Sequence, residues 1–388
     1  DVYKRQAQAD GDQCAGGHAG NSPALTTVNA VDDQEKGGSS WPRARFGRSA
    51  VEDRSGSKSK RWVTRPAGRV RRVLGVVIAL ACLLTAALCA LMWCDVLIGN
   101  VVPVLQALTP VWVLIAAVML VAAVLVRRRA ALLAALPMLV AATAAGVALA
   151  QHPSPPSSVQ HAAGQRHLRV LALNLEFGGA DAGAVAAEVA RVRPDVVVMP
   201  ETTAVKLRLL DAAGLGGRLP YRASGLVDDG SRGTAVLSRY PLHTLDDGRH
   251  LGPYDLQMPI VTVAAPGADV TVHGVHTYPP LQDGANHWRP QLEALGRWQR
   301  GENAPHLVMA GDFNASAAHP AFRHLADGLI DAFPARHGNW PPTWPQDAVV
   351  PPFAQIDHIL TRGFVPVDAG TFTVPGTDHA GVWSDLRY

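Results

Sequence analysis

Acids, amides and imidazoles recur at the ends of apolar runs in the C-terminal half of this 388-residue sequence. Asn174 and Glu176 follow LRVLAL, Glu201 closes DVVVMPE, His276 lies in DVTVHGVHTY, and Asp312 and Asn314 close HLVMAGDFN. Two adjacent pairs, Asp357-His358 in QIDHIL and Asp378-His379 in GTDHAG, stand near the C-terminus. A single carboxylate at a strand end most often caps the next helix. The set together has what metal-assisted phosphate hydrolysis needs. Oxygen ligands can hold a hard cation such as Mg2+, a His beside a carboxylate can handle protons, and Asn with Asp can position a nucleophilic water. No cysteine lies beyond Cys94. This half therefore has no disulfide, thiolate nucleophile or Cys-based zinc site, and any metal must take oxygen and imidazole ligands.

Such groups need strands that end together, because open sheets bind ligands at strand ends. The pattern predicts strands over 168–175 and 195–201, the second buried on both faces, with a helix over 181–191 between them. Later strands are predicted at TAVLSRY from Thr234, MPIVTVAA from Met258, DVTVHGVHTY and HLVMAGDFN, with a helix over 286–300. The region 166–388 thus reads as one α/β domain. It holds 18 Lys and Arg, of which Lys206 is the single lysine, against 23 Asp and Glu. That balance disfavours a surface that grips a nucleic-acid duplex, where each neutralised phosphate wants a cation.

The N-terminal half differs in kind. Residues 1–64 are polar, basic and without apolar periodicity, which reads as a disordered cytoplasmic tail, and residues 1–6 resemble a translated sequencing adapter. Uncharged runs over 73–93, 101–126 and 130–150 are each long enough to cross the roughly 30 Å hydrocarbon core as a helix. Arg65, Arg69, Arg71 and Arg72 precede the first run and Arg127, Arg128 and Arg129 separate the second from the third, whereas the loop 94–100 carries only Asp95. By the positive-inside rule both arginine clusters are cytoplasmic, and all that follows Ala150 is extracytoplasmic. The organisation expected is a tail (1–64), a three-helix anchor (65–150), a Pro/Ser linker (151–165) and a catalytic domain (166–388). The linker is read as a semi-extended tether of up to about 45 Å.

From Arg169 to Tyr388 the motifs occur in the order found in the endonuclease/exonuclease/phosphatase superfamily, which this region resembles. GDFN followed by an ID element and a terminal DH is the most specific part, and GTAVLSRYPL from Gly233 is similar to the superfamily's central strand. The resemblance implies a four-layer α/β sandwich, DNase I-like, here preceded by three transmembrane helices. It implies Mg2+ or Mn2+ held by Glu201 with Asn174, Asp378 and Glu176. His379 would be the catalytic imidazole, oriented by Asp357. Asp312 would orient or deprotonate the attacking water, and Asn314 and His276 would contact phosphoryl oxygens. One departure is MPE where QE is commoner, so a helper side chain beside Glu201 is missing.

His358 follows Asp357 directly and His273 lies three residues before His276, so in strands each faces away from the site and is read as structural. Trp344 is read as a packing anchor in its loop. The three spans resemble the membrane-anchored, glycopeptide-resistance-associated subgroup, which implies a partner in the membrane lipid and a substrate such as undecaprenyl pyrophosphate. An extracellular nuclease, a sphingomyelinase-like phosphodiesterase and a non-catalytic binding module are the competing readings. The last would be expected to have lost one of Glu201, Asp312, Asn314, Asp378 or His379, and all five are present.

Overall fold

The computed structural model describes residues 66–151, 153–225, 230–251, 256–281, 284–338 and 341–388. The tail, 1–64, lies outside them, as does Arg65.

Three helices are long and apolar enough to cross a membrane, with mean hydropathies of 2.7, 2.6 and 2.2. Helix α1 (Pro66–Ala90) continues into a 3-10 turn, Leu91–Trp93, and a short helix α2 (Val101–Ala107) leads into α3 (Thr109–Val126) and α4 (Arg129–Ala150). The second apolar run was expected to be one helix and is two. Pro110 has no N–H to offer the carbonyl of Gln106, which takes the Thr109 hydroxyl instead, at 2.6 Å. Ala131, Ala134, Ala135, Met138, Ala142 and Ala145 form the buried stripe of α4, and Ile78, Cys82, Thr85 and Cys89 that of α1. Side chains this small let helix backbones approach closely where lipid tails offer no hydrophobic gain. The large aliphatic residues, among them Leu114, Val121, Leu125 and Val140, point outward.

The linker also departs from expectation. Residues 157–162 form a six-residue helix, α5 (Ser157–Ala162), rather than an extended tether. The prolines all precede it, where a missing N–H costs nothing, and SSVQHA contains no helix breaker.

The domain beyond is a sandwich of two six-stranded sheets. One has the order β11 (Val365–Phe372), β12 (Gly381–Arg387), β1 (His167–Ala172), β2 (Val196–Pro200), β4 (Thr234–Ser238), β3 (Tyr221–Gly225). The other runs β5 (Leu242–Asp246), β6 (Ile260–Ala265), β7 (Ala268–His276), β8 (Leu307–Asp312), β10 (Asp357–Arg362), β9 (Ile330–Asp331). Alternation along each strand builds the layers. Leu168, Val170 and Ala172 of β1 meet Val270 and Val272 of β7 and Val308 and Ala310 of β8 between the sheets. Leu171, Val197 and Met199 turn outward onto α6 (Ala182–Val192) and α7 (Ala204–Ala212), through Val185, Val189, Leu207 and Leu210. On the far side Leu307 and Met309 pack under α8 (Ala285–Gly301) and α9 (Pro320–Ala326), through Trp288, Leu292 and Phe322. The result is the four-layer α/β sandwich that the motif order implies.

Candidate active site

Each sheet contributes one β–α–β unit with parallel strands, β1–α6–β2 and β7–α8–β8. Asn174, Glu201, His276 and Asp312 stand at the C-terminal ends of these four strands, while Asp357 opens β10 and Asp378 and His379 precede β12. Register lines them up further: Asp312 at the end of β8 is paired with His276 of β7 on one side and with Asp357, which opens β10, on the other.

Asn174 ties the two sheets together. Its Nδ2 donates to Glu201 Oε1 at 3.2 Å and to Asp312 Oδ2 at 3.0 Å, while its Oδ1 accepts the Glu176 N–H at 2.9 Å. Glu201 Oε2 accepts the Phe177 N–H at 2.8 Å, and His276 Nε2 lies 3.5 Å from Oε1. Glu176 accepts the Asp378 N–H at 2.8 Å. His379 Nδ1 sits 2.9 Å from Asp357 Oδ2, with Nε2 3.8 Å from Asp312 Oδ2 and 3.6 Å from Asp378 Oδ1. All nine residues singled out in the sequence thus belong to one connected cluster. Asn314 joins the cluster through Asp312. Its Nδ2 donates to the Thr277 carbonyl at 2.8 Å and to Asp312 Oδ2 at 3.2 Å, so here it positions Asp312.

The backbone is strained where these groups converge. Glu176, Phe177, Glu201 and Asn314 have φ of 42°, 53°, 56° and 46°, a left-handed region that costs a non-glycine residue about 1–3 kcal/mol. Each strained residue turns a side chain or an amide N–H into the cluster.

Burial dominates the electrostatics. It pushes the Glu201 and Asp312 carboxyls each up to about 7 and the His276 imidazole down to about 3, which leaves His276 neutral. Burial alone would lower His379 too, but the carboxylates of Asp357 and Asp312 outweigh it and hold the imidazole well above its ordinary value.

These donors fit a divalent cation. Among the described residues no lysine or arginine pairs with Glu201, Asp312, Asp357 or Asp378. Buried carboxylates this close need a proton or a cation to offset their repulsion. An all-oxygen set suits a hard ion. By distance, Asp312, Asp357 and His379 could share a metal ion, since one ligand atom from each lies within 4.8 Å of the others. The imidazole Nδ1, however, is already hydrogen-bonded to Asp357, which suits proton handling better than ligation.

Three contributors escaped the sequence reading. Trp344 does pack on Phe353, as an anchor should, but its indole N–H also donates to Asp378 Oδ2 at 2.9 Å. Thr377 donates to the Asn174 carbonyl at 2.8 Å and accepts the His379 N–H at 3.2 Å. Thr277 donates to the Phe313 carbonyl at 2.5 Å. Only the threonine directly before the Asp378-His379 pair offered a signal, as a hydroxyl adjoining two site residues. His358 and His273 face away as expected. The first bonds Asp331 and the Ala315 carbonyl, and the second meets Trp298 edge-on.

Among solved structures the chain is similar to an endonuclease/exonuclease/phosphatase from Beutenbergia cavernae DSM 12333, at 23% identity and a TM-score of 0.43, over 57% of this chain and 72% of that one. It is similar to sphingomyelinase C from Streptomyces griseocarneus, at 18% and 0.42, over 57% and 99%. It is also similar to an AP endonuclease from Archaeoglobus fulgidus, at 16% and 0.46, over 56% and 98%. No curated protein matches the chain in sequence. Residues 171–379, from the middle of β1 to the imidazole that Asp357 holds, match the Endonuclease/Exonuclease/phosphatase family, and with more than half of its length in that match the chain belongs to this family.

Proposed function

We propose that this chain is a membrane-anchored, divalent-metal-dependent phosphoesterase that works at the extracytoplasmic lipid surface on a lipid-linked phosphate or pyrophosphate, undecaprenyl pyrophosphate being the leading case. One observation carries the lipid reading. Ala318, four residues beyond Asn314, packs into the apolar cluster of the membrane helices. Four extended residues reach at most about 14 Å, so Asn314 lies within that distance of a residue packed on the bundle. A second feature agrees with it. Val349 and Val350 are exposed near Trp344, whose indole holds Asp378.

Glu201, helped by Asn174, Asp378 and Glu176, would hold Mg2+ or Mn2+. When bound, the cation supplies positive charge against the phosphoryl oxygens. The remaining work falls to side chains. Asp312, steered by Asn174 and Asn314, orients the attacking water and takes its proton, and a carboxyl near 7 is matched to that task at neutral pH. As the water oxygen bonds to phosphorus and the bond to the leaving oxygen breaks, protonated His379 delivers its Nε2 proton to that oxygen. Asp357 keeps the imidazole charged and in one orientation. Neutral His276 faces the same oxygens and adds no competing charge to the cation side. Orientation across the membrane rests on charge. Arg127, Arg128 and Arg129 sit at the α3–α4 turn, the opposite end of the bundle from the loop that carries Asp95.

The test is phosphate release by the full chain in lipid nanodiscs with Mg2+, on undecaprenyl pyrophosphate, duplex DNA and sphingomyelin, with Glu201→Ala and His379→Ala as blanks. Release from the lipid pyrophosphate alone, lost in both variants, is the result expected. Cleavage of DNA or sphingomyelin instead would keep the site and overturn the substrate. Wild-type turnover in both variants would overturn the site.

A further inference from the structure

Two side chains join the segment that follows Asn314 to the outward hairpin of the membrane bundle. His319 is fully buried, and its Nδ1 accepts the Ser316 N–H at 2.9 Å, which places the ring proton on Nε2, 3.0 Å from the Pro103 carbonyl. Burial pushes this imidazole down to about 4, so it stays neutral and keeps that tautomer across ordinary pH. Arg323 donates through Nη1 to the Ala317 carbonyl and through Nη2 to the Met92 carbonyl, each at 2.7 Å. Met92 lies in the last turn of the first membrane helix, where carbonyls lack helical partners and a cation is favoured. Arg289 of α8 pairs with Asp95 in the same hairpin at 2.8 Å. Gln106, buried in α2, donates to the Leu91 and Cys94 carbonyls at 3.0 and 2.9 Å, which fixes the hairpin's own shape.

We infer that the hairpin 92–103 is part of the active-site scaffold, and that His319 and Arg323 are positioning residues that hold the segment 313–319, and through it Asp312 and Asn314, against the membrane bundle. From inside the domain the segment is held chiefly at its first residues, Phe313 and Ala315, which are buried in the core under α8 and α9. His358 holds the Ala315 carbonyl from inside the domain at 2.9 Å, and Phe313 donates its N–H to the Ile356 carbonyl at 2.9 Å. Among the described residues, the hydrogen bonds between Ser316 and His319 are the segment's own, those to α9 and the bridge to the hairpin, and the ring contact from inside the domain is Trp288 of α8, edge-on to His319. Membrane helices that served only as an anchor would have no need to grip the residues next to the catalytic loop. This inference rests on the phosphoesterase reading of Asp312 and Asn314.

The experiment uses the full chain in nanodiscs and changes the hairpin first, touching the catalytic domain only in the charge reversal at Arg289, outside the cluster of site residues. Gln106→Ala frees the two carbonyls that shape it. Asp95→Arg breaks the pair with Arg289, and Arg289→Asp in the same chain restores it. Amide hydrogen exchange is read over 314–319, with β1 and β2 as the internal standard, and kcat and KM are read on a soluble nitrophenyl phosphodiester. Expected are about tenfold faster exchange over 314–319, unchanged exchange in β1 and β2, and about a tenfold loss of kcat at constant KM, with both effects reduced in the charge-swapped double variant. Unchanged exchange over 314–319 in both hairpin variants overturns the inference. So does faster exchange with kcat intact. A wild-type chain inactive on every phosphoester would fault the phosphoesterase reading instead, and the exchange comparison would still decide whether the hairpin holds the loop.

Discussion

Gly311→Ala is the most searching single perturbation of the catalytic loop, because it adds one methyl group beside Asp312 and removes no functional atom. Gly311 has φ of 136°, and a Cβ there would lie 2.1 Å from the Val275 carbonyl oxygen, its partner residue across the parallel β7–β8 ladder. Relief requires the strands to part by about 1 Å, which stretches a normal ladder bond beyond hydrogen-bonding range. Losing one or two such bonds at about 1 kcal/mol each, with about 1–3 kcal/mol for a side chain in an unfavourable backbone region, gives a cost of about 2–5 kcal/mol. At about 2–4 °C per kcal/mol for a domain of this size, the melting temperature should fall by about 10 °C. Function should suffer more than stability. The next bond along, from the Thr277 N–H to the Asp312 carbonyl at 3.1 Å, anchors the residue proposed as the base, and a 1 Å misplacement of a reacting group costs about a hundredfold in rate. Differential scanning fluorimetry and phosphate release on the same preparation provide the two readings. A variant that melts within 2 °C of the wild type and turns over within about twofold would refute the argument that Asp312 depends on this strand contact.

Asp357→Asn should keep the fold yet move the alkaline limb of the pH–rate profile to lower pH, since it takes away a carboxylate that raises His379. Loss at pH 8 should therefore exceed loss at pH 6, and an unshifted limb would count against a charged His379 in the reaction. Glu201 and Asp312, pushed up to about 7, bind more protons folded than unfolded. Their share of the metal-free domain's stability should thus fall as pH rises from about 4 to about 7, by up to about 1.4 kcal/mol per pH unit per group, while His276 and His319, which burial keeps neutral, add stability over the lower part of that range. The Glu201 share is the difference in melting between the wild type and Glu201→Gln in chelator; it should show that fall, Mg2+ should reverse it with release of protons, and a difference that is flat over that range would contradict this. Val349→Asp with Val350→Asp should cut activity on vesicle-borne substrate by at least about tenfold while sparing a soluble phosphodiester, and equal loss on both would deny the loop a role at the lipid surface.

Strands buried on both faces were the most legible elements. DVVVMPE and HLVMAGDFN admit few other conformations, and their ends announced Glu201 and Asp312. The edge strands β3 and β5 were not foreseen, since LHTLD of β5 alternates weakly and lies half open to solvent. Nor was β12, which pairs beside β1 although its Ser384 and Asp385 break the apolar pattern. At the site, residue types and strand ends identified the carboxylates. The partnership of His379 with Asp357 rested on motif order, because 22 residues of chain separate them and no periodicity connects them. The union of hairpin and catalytic loop left no trace in the pattern. It is made largely with the carbonyls of Met92, Pro103 and Ala317, and a backbone acceptor looks the same in every sequence.

The left-handed residue at the end of β2 has one more consequence. Glu201 carries two burdens at once, an unfavourable backbone angle and a carboxyl largely withdrawn from solvent and crowded by other acids. Glycine would relieve both. A selection for thermal resistance alone, run in chelator and blind to turnover, should therefore drift toward glycine at this position and produce a sturdier but inert molecule. The glutamate persists only under a requirement that stability does not measure, which makes position 201 a place where natural variation would separate working members of the family from those kept for their shape.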